Sequence, residues 1–326
     1  MTRSLEAEKQ PGATPPPPQR PLAHAESATP QSLSTYTSPM RGLLLAGGHG
    51  SRLGPLSVAT SKQLLPVYDK PLIFYPLSTL MIAGVREILV IVAPRDLSAV
   101  QALLGNGAAL GISITYAVQD EPRGIADALV IARDFIEDEP VCLILGDNVL
   151  FGSGLGQMLR SLSPLGCATV FAIESLEPQN YAVVTLSEDG TPVNIVEKPT
   201  HPDSRWIVPG LYFYPPDSAT RALELATSPR GELEITDLNR DYMSCGQLSV
   251  VKLPRGTYWI DAGTPESLAE AGQFVSLHFR RTGLSVACPE EVAFRMGWVS
   301  AGTVGEASVR YRGSIYGDYL KSLTQA

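Results

Sequence analysis

Leu43-Leu44-Leu45-Ala46-Gly47-Gly48-His49-Gly50-Ser51-Arg52-Leu53 is the stretch on which the reading of this chain turns. An apolar run breaks off into closely spaced glycines and then delivers a cation, Arg52. A second cation follows in Ser61-Lys62-Gln63-Leu64-Leu65-Pro66. Glycine lets backbone N–H groups approach a ligand with no Cβ in the way, and successive N–H groups in such a turn form a concavity for anions. Arg52 and Lys62 add full positive charge where the phosphates of a nucleotide would lie. The stretch predicts a buried strand feeding a triphosphate-binding loop. It is not a P-loop, because no Gly-Lys pair stands near it, and the dinucleotide fingerprint would need glycine at Leu53. A plain glycine turn with Arg52 and Lys62 as surface charges is the bland alternative. His49 reads as loop filler rather than as a base.

Outward from this loop, short apolar runs alternate with helical ones. Gly42–Ala46, Glu87–Ala93, Ile112–Val118 and Val141–Leu145 read as strands. Leu72–Ala83, Leu97–Leu104 and Ile125–Phe135 read as helices. Strands that are apolar throughout, alternating with helices, predict an α/β fold: a mostly parallel, mixed sheet covered on both faces, a three-layer Rossmann-like core. Ligands bind such sheets beyond the carboxyl ends of the strands. The glycine loop and Gly146-Asp147-Asn148 should therefore share one rim. Further on, Ala168–Glu174, Tyr181–Leu186, Pro192–Val196, Gly210–Tyr214 and Leu248–Lys252 read as added antiparallel strands around a substrate pocket, with a turn at Glu188-Asp189-Gly190. Pro265 to Phe279 reads as a helix, followed by a smaller packing unit around Ala287–Arg295.

Composition narrows the function classes. The net charge of −8 argues against a nucleic-acid surface, which normally needs a basic face. No stretch approaches the ~18 consecutive apolar residues of a membrane span. The four cysteines are scattered without metal-ligand spacing, which fits a reducing cytoplasm, and Cys142 reads as a buried small hydrophobe. Residues 1–39, with the run Pro15 to Pro18, read as a disordered Pro-rich tail that cannot offset its ordering entropy. Met40 directly precedes the first strand, so translation from Met40 is an alternative to Met1. The expected domains are that tail, an α/β core with a substrate pocket over 40–264, and a helical assembly region over 265–326.

Several residues carry candidate chemistry. Asp147, ending an apolar strand, is placed to hold Mg²⁺ on triphosphate oxygens, although Asp-Asn after a strand is also ordinary turn chemistry. Asp261, in Trp259-Ile260-Asp261-Ala262-Gly263, closes a second apolar segment beside glycine. Two such carboxylates beside an anion nest suggest metal-bridged phosphoryl or nucleotidyl transfer. Glu197-Lys198-Pro199 ends another strand: Lys198 could meet a second phosphate and Glu197 could accept from sugar hydroxyls, unless the two form a solvated ion pair. The run Arg230–Asp237 reads as a helix start with charges toward water. Gln119 offers a donor and an acceptor to the imide edge of thymine or uracil.

These motifs occur in the order found in sugar-1-phosphate nucleotidylyltransferases, and the chain resembles the glucose-1-phosphate thymidylyltransferase subfamily most, from about Met40 to Tyr319. The segment around Cys288-Pro289-Glu290-Glu291 resembles that subfamily's C-terminal region. The resemblance implies a transferase that joins a nucleoside triphosphate, dTTP, to a sugar 1-phosphate, glucose 1-phosphate, with loss of pyrophosphate. It implies that Arg52 and Lys62 are catalytic, and that Ala46, Gly47, Gly48, Gly50, Ser51, Gln119 and Gly124 bind the nucleotide. Asn148, Tyr181, Ala182, Glu197, Lys198, Gly210 and Tyr212 would line the sugar-phosphate pocket, and Asp147 and Asp261 would hold Mg²⁺. It implies a homotetramer with a regulatory nucleotide site, to which charge, hydropathy and cysteine usage add a cytoplasmic setting without nucleic-acid or membrane partners.

Four positions depart from the family pattern. Gly54 stands where a larger residue is common, Ala182 where a glycine lets backbone approach the sugar, Thr185 where Glu is frequent, and Asp127 where the subfamily shows Gln. They leave the triphosphate and metal residues intact. They keep open another NTP, a modified sugar or a cyclitol phosphate. A catalytically silent nucleotide-sugar sensor is the alternative of another class, although it would be free to lose Arg52, Lys62, Asp147, Lys198 and Asp261. A metal-dependent glycosyltransferase would lack the glycine loop.

Overall fold

The computed structural model describes residues 40–48, 50–162 and 166–325, and every statement about structure below concerns these. The Pro-rich segment and His49 lie outside them.

The first half is built from β1 (Arg41–Ala46), the short hairpin β2 (Pro66–Val67) and β3 (Lys70–Pro71), α1 (Phe74–Ile82), β4 (Glu87–Val92), α2 (Leu97–Leu104) and β5 (Ser113–Val118). Then come α3 (Asp127–Ile131), α4 (Arg133–Ile136), β6 (Val141–Leu145), β7 (Asn148–Phe151) and α5 (Leu155–Ser161). Strands β5, β4, β1 and β6 lie side by side and parallel. Their side chains alternate between two cores, as a two-residue period requires. In β4, Ile88, Val90 and Val92 join one core and Leu89 and Ile91 the other. Both faces are covered, so the strands are apolar throughout. The helix expected over Ile125–Phe135 is broken into α3 and α4 at Ala132, which leaves helical geometry.

The second half adds β8 (Ala168–Glu174), β9 (Ala182–Leu186), β10 (Pro192–Glu197), β11 (Trp206–Val208), β12 (Leu211–Tyr214), α6 (Ser218–Glu224), α7 (Ile235–Ser244), β13 (Leu248–Lys252) and β14 (Tyr258–Asp261). Among the described residues the main sheet has ten strands, in the order β10-β9-β11-β8-β12-β6-β1-β4-β5, with β13 also on β8. Strands β9 to β12 pair antiparallel with their neighbours, as expected. Leu248–Lys252 does not: β13 runs parallel to β8. Helix α7 returns the chain across the sheet before β13 begins, a crossover that permits a parallel pair.

Outside the sheet, β7 and β14 form a separate two-stranded ribbon over a third core that includes Val149, Ile260 and Val275. Helix α8 (Pro265–Thr282) opens with a capping box between Thr264 and Ser267. Three shorter helices follow: α9 (Pro289–Arg295), α10 (Ala301–Arg310) and α11 (Ile315–Leu323). Cys288, Ala293, Val304 and Tyr316 of this region share the core of α1 and β4. No helix is long and apolar enough to cross a membrane.

Candidate active site

Strand β1 ends at the buried Ala46, and the chain turns through Gly47 and Gly48 to Gly50, whose φ is +65°. The Ser57 hydroxyl donates to the Gly50 carbonyl at 2.8 Å and reaches that of Gly54 at 3.2 Å, which pins the loop from below. Nothing in the sequence singled Ser57 out. Ser51 is exposed where the loop leaves the sheet. Lys62 lies along the loop: a Cβ on Gly48 would stand 3.4 Å from its Cε. Its ammonium pairs with Asp147 Oδ2. Arg52 is exposed at its tip and approaches Asp261, Nη2 to Oδ2, at 3.8 Å.

Asp147 follows β6 at the same rim. The ribbon register places Asn148 opposite Asp261, so the two carboxylates become neighbours. Asn148, 1% exposed, holds this corner together. Its Oδ1 accepts from the Trp259 indole at 2.6 Å and the Gly210 N–H at 3.0 Å, while Nδ2 donates to Asp147 Oδ1 at 3.1 Å. Burial alone would raise the Asp147 pKa; the Lys62 ammonium and the Asn148 amide outweigh it and hold the carboxyl low. Burial and the Asp147 charge push Asp261 the other way, up to about 7.

Asp261 Oδ1 is buried and has no hydrogen-bond partner. A neighbouring carboxylate with an unpartnered oxygen is a donor set short of a cation, and its hard oxygens suit Mg²⁺. Among the described residues no cluster of three or more metal-ligating side chains exists. The protein would thus supply two ligands and leave the rest to phosphate and water, the usual division for Mg²⁺.

On the far side, β10 ends at Glu197, opposite Ala182, which also faces Val208 on β11. Thr236 donates to Glu197 Oε2 at 2.6 Å. The run Arg230–Asp237 starts a helix, as expected, and buries Ile235 and Thr236, so that Thr236 reaches Glu197. Lys198 has φ +43°, a strained conformation for a residue with a Cβ, and its Nζ stays 3.8 Å from Glu197. Its N–H donates to the Tyr181 carbonyl at 3.1 Å. The Tyr181 ring meets Trp259 edge-on at 5.0 Å and so links this side to Asn148 and the carboxylates. Gly210 is required by close approach, since a Cβ there would fall 2.6 Å from the Leu145 side chain. Expected at the sugar, Asn148 and Gly210 bond to each other, and Tyr212 is buried within the sheet.

At the β5 end, a Cβ on Gly47 would sit 3.2 Å from Gln119 Oε1, so the amide oxygen faces the glycine loop. Gln119 Nε2 donates to Asp127 Oδ2 at 2.8 Å and lies 3.4 Å from the Gly124 carbonyl. This corrects the expectation that Gln119 offers a ligand both a donor and an acceptor: its donor end is already engaged. It also ties Asp127, one of the departures that kept another NTP or another sugar open, directly to Gln119. Gly124 has φ +100°, and a Cβ there would meet the Leu233 carbonyl at 2.3 Å. Packing alone demands glycine at that position.

A glycine loop crossed by a lysine, beside two carboxylates at the rim of a mixed sheet, is the arrangement of a phosphate-handling transferase. The chain belongs to the nucleotidyl transferase family, whose sequence profile matches residues 41–277. It is 47% identical to the glucose-1-phosphate thymidylyltransferase of Xanthomonas campestris pv. campestris over 286 residues, 87% of this chain and 97% of that protein. It is 48% identical to the enzyme of the same name from Neisseria meningitidis, over 87% of this chain and 99% of the relative. Among solved structures it resembles a Bacillus anthracis protein in complex with sucrose, named only provisionally as a glucose-1-phosphate thymidylyltransferase. That likeness has a TM-score of 0.67 and 35% identity, over 72% of this chain and 94% of the other.

Proposed function

We propose that this chain condenses dTTP with glucose 1-phosphate to give dTDP-glucose and pyrophosphate. The observation that carries the reading is the adjacency of Asp147, Lys62 and Asp261 at the glycine loop. Support comes also from the shared name of relatives that match the chain at 47–48% identity.

The chemistry asks for no protein nucleophile. A sugar-phosphate oxygen, already anionic at neutral pH, attacks the α-phosphorus in line and pyrophosphate leaves, so alignment and charge neutralisation dominate. The base sits against Gln119 and Gly47, the N–H groups of Gly48 and Gly50 cradle the β- and γ-phosphates, and Arg52 follows the departing pyrophosphate. Lys62 neutralises charge at the α-phosphate, for which its ammonium must leave or share Asp147. Asp147 and Asp261 would hold Mg²⁺, which when bound supplies a Lewis acid for the triphosphate oxygens. Lys198 meets the phosphate of the sugar, Glu197 accepts from its hydroxyls, and Tyr181 and Ala182 border it.

The reading extends to a cytoplasmic homotetramer in which residues 265–326 serve assembly. Leu277, Leu284, Val309 and Ile315, each at least half exposed, give that region apolar surface to bury. A matrix of nucleoside triphosphates against sugar 1-phosphates, read by pyrophosphate release, tests the substrates. The highest rate is expected with dTTP and glucose 1-phosphate. A higher rate with a modified sugar or cyclitol phosphate would replace the acceptor named here.

A further inference from the structure

Asp127 is 2% exposed, and each of its oxygens is engaged. Oδ2 accepts from Gln119 Nε2 at 2.8 Å, and Oδ1 faces the Arg123 guanidinium at 3.1 Å. A carboxylate accepts and does not donate, so the amide of Gln119 can present only its NH₂ end to Asp127. The second amide hydrogen points toward the Gly124 carbonyl, 3.4 Å away. What remains of Gln119, itself 6% exposed, is Oε1 beside Gly47. An amide that could otherwise turn over and read either hydrogen-bonding pattern is locked as an acceptor.

We propose that Asp127 is a positioning residue for base selection: it fixes Gln119 so that the pocket accepts a ring N–H, admitting thymine or uracil and refusing cytosine. Thymine and uracil carry a hydrogen on N3 and donate to Oε1. Cytosine has a bare N3, which would set two acceptors against each other in a buried place. Leaving buried polar groups unpaired in this way is a strong means of rejection, worth about tenfold or more. The inference rests on the nucleotide assignment of the preceding section, because it takes the space above Gly47 as the base pocket.

Asp127→Asn tests it with little change of shape. The Asn oxygen can stay on Arg123 and its NH₂ can donate to Gln119 Oε1, so only the long 3.4 Å contact with the Gly124 carbonyl then resists the Gln119 amide turning its own NH₂ toward the loop. The ratio of kcat/KM for dTTP over dCTP, and the same ratio of affinities by calorimetry, should fall about tenfold or more. Part of the fall should come from better use of dCTP, which a general loosening of the fold would not produce. A folded variant with both ratios unchanged overturns the proposal. Should the variant not fold, the wild-type protein decides with N3-methyl-dTTP, which lacks the ring N–H. Use or binding about tenfold weaker than dTTP supports the proposal, and equal use and binding overturn it. A wild-type protein that binds dTTP over dCTP yet transfers nothing would overturn the transfer reading while leaving Asp127 to be decided by the affinities.

Discussion

Asp261, pushed up to about 7 by burial and by the carboxylate of Asp147, keeps its proton in a range where the same residue in an unfolded chain has lost it. Between its ordinary value of 3.8 and about 7, the folded protein binds more protons at this group than the unfolded one. Its contribution to stability therefore falls as pH rises through that window and is constant above it. In denaturant melts without metal, the wild type should lose stability relative to Asp261→Asn across this range. A wild type that gains on the variant would contradict the assignment. Asp147→Asn and Asp261→Asn should each lower turnover roughly a hundredfold or more, since several kcal/mol of charge stabilisation disappear. Rates near wild type from either folded variant at limiting Mg²⁺ would remove both from the metal site. Lys198→Ala should weaken sugar-phosphate use and spare NTP affinity, while Lys62→Ala should damage the nucleotide step. Titrations showing the reverse would exchange the two phosphate sites. Lys62, Asp147 and Asp261 were legible in the sequence because each flanks or ends an apolar run. The tie from Asp127 to Gln119 was not, because an acid at the start of a helix ordinarily faces water, and only the fold turns this one inward.

Elements show a similar division. Strand β6 and helix α2 have the bounds their apolar patterns predict, whereas the ribbon of β7 and β14 escaped notice as a paired unit. Its strands are only four residues each and are joined across most of a domain, so local periodicity holds no record of their pairing. Hydrophobic pattern is also blind to strand direction, which is why β13 was expected antiparallel and runs parallel. The ribbon depends on Asn148 as the common partner of Trp259, Gly210 and Asp147. Asn148→Ala would leave the indole N–H and the Gly210 N–H without their acceptor. Each unsatisfied buried group costs about 1–3 kcal/mol. A clear fall in denaturation midpoint, with a further loss of turnover as Asp147 and Asp261 separate, is expected. An Asn148→Ala protein as stable as wild type would show that the corner is held by other contacts.

For the whole molecule, the two cores on either side of the sheet follow from strands whose alternate residues face opposite ways, and this much is legible in the apolar pattern. How α9 to α11 would lie was not, because short amphipathic helices do not specify their partner; in the structure they join the core of α1 and β4. That sheet carries the glycine loop of β1 and the carboxylate after β6 to one rim, and the ribbon brings Asp261 beside them. This rim is proposed to transfer a nucleotidyl group to a sugar phosphate. Phosphorus NMR of the protein with dTTP, glucose 1-phosphate and Mg²⁺ distinguishes this transfer from hydrolysis and from mere binding. Pyrophosphate and a sugar-linked diphosphate should appear together in equal amounts. Release of inorganic phosphate with dTDP, or an unchanged spectrum from protein that binds both substrates, would contradict it.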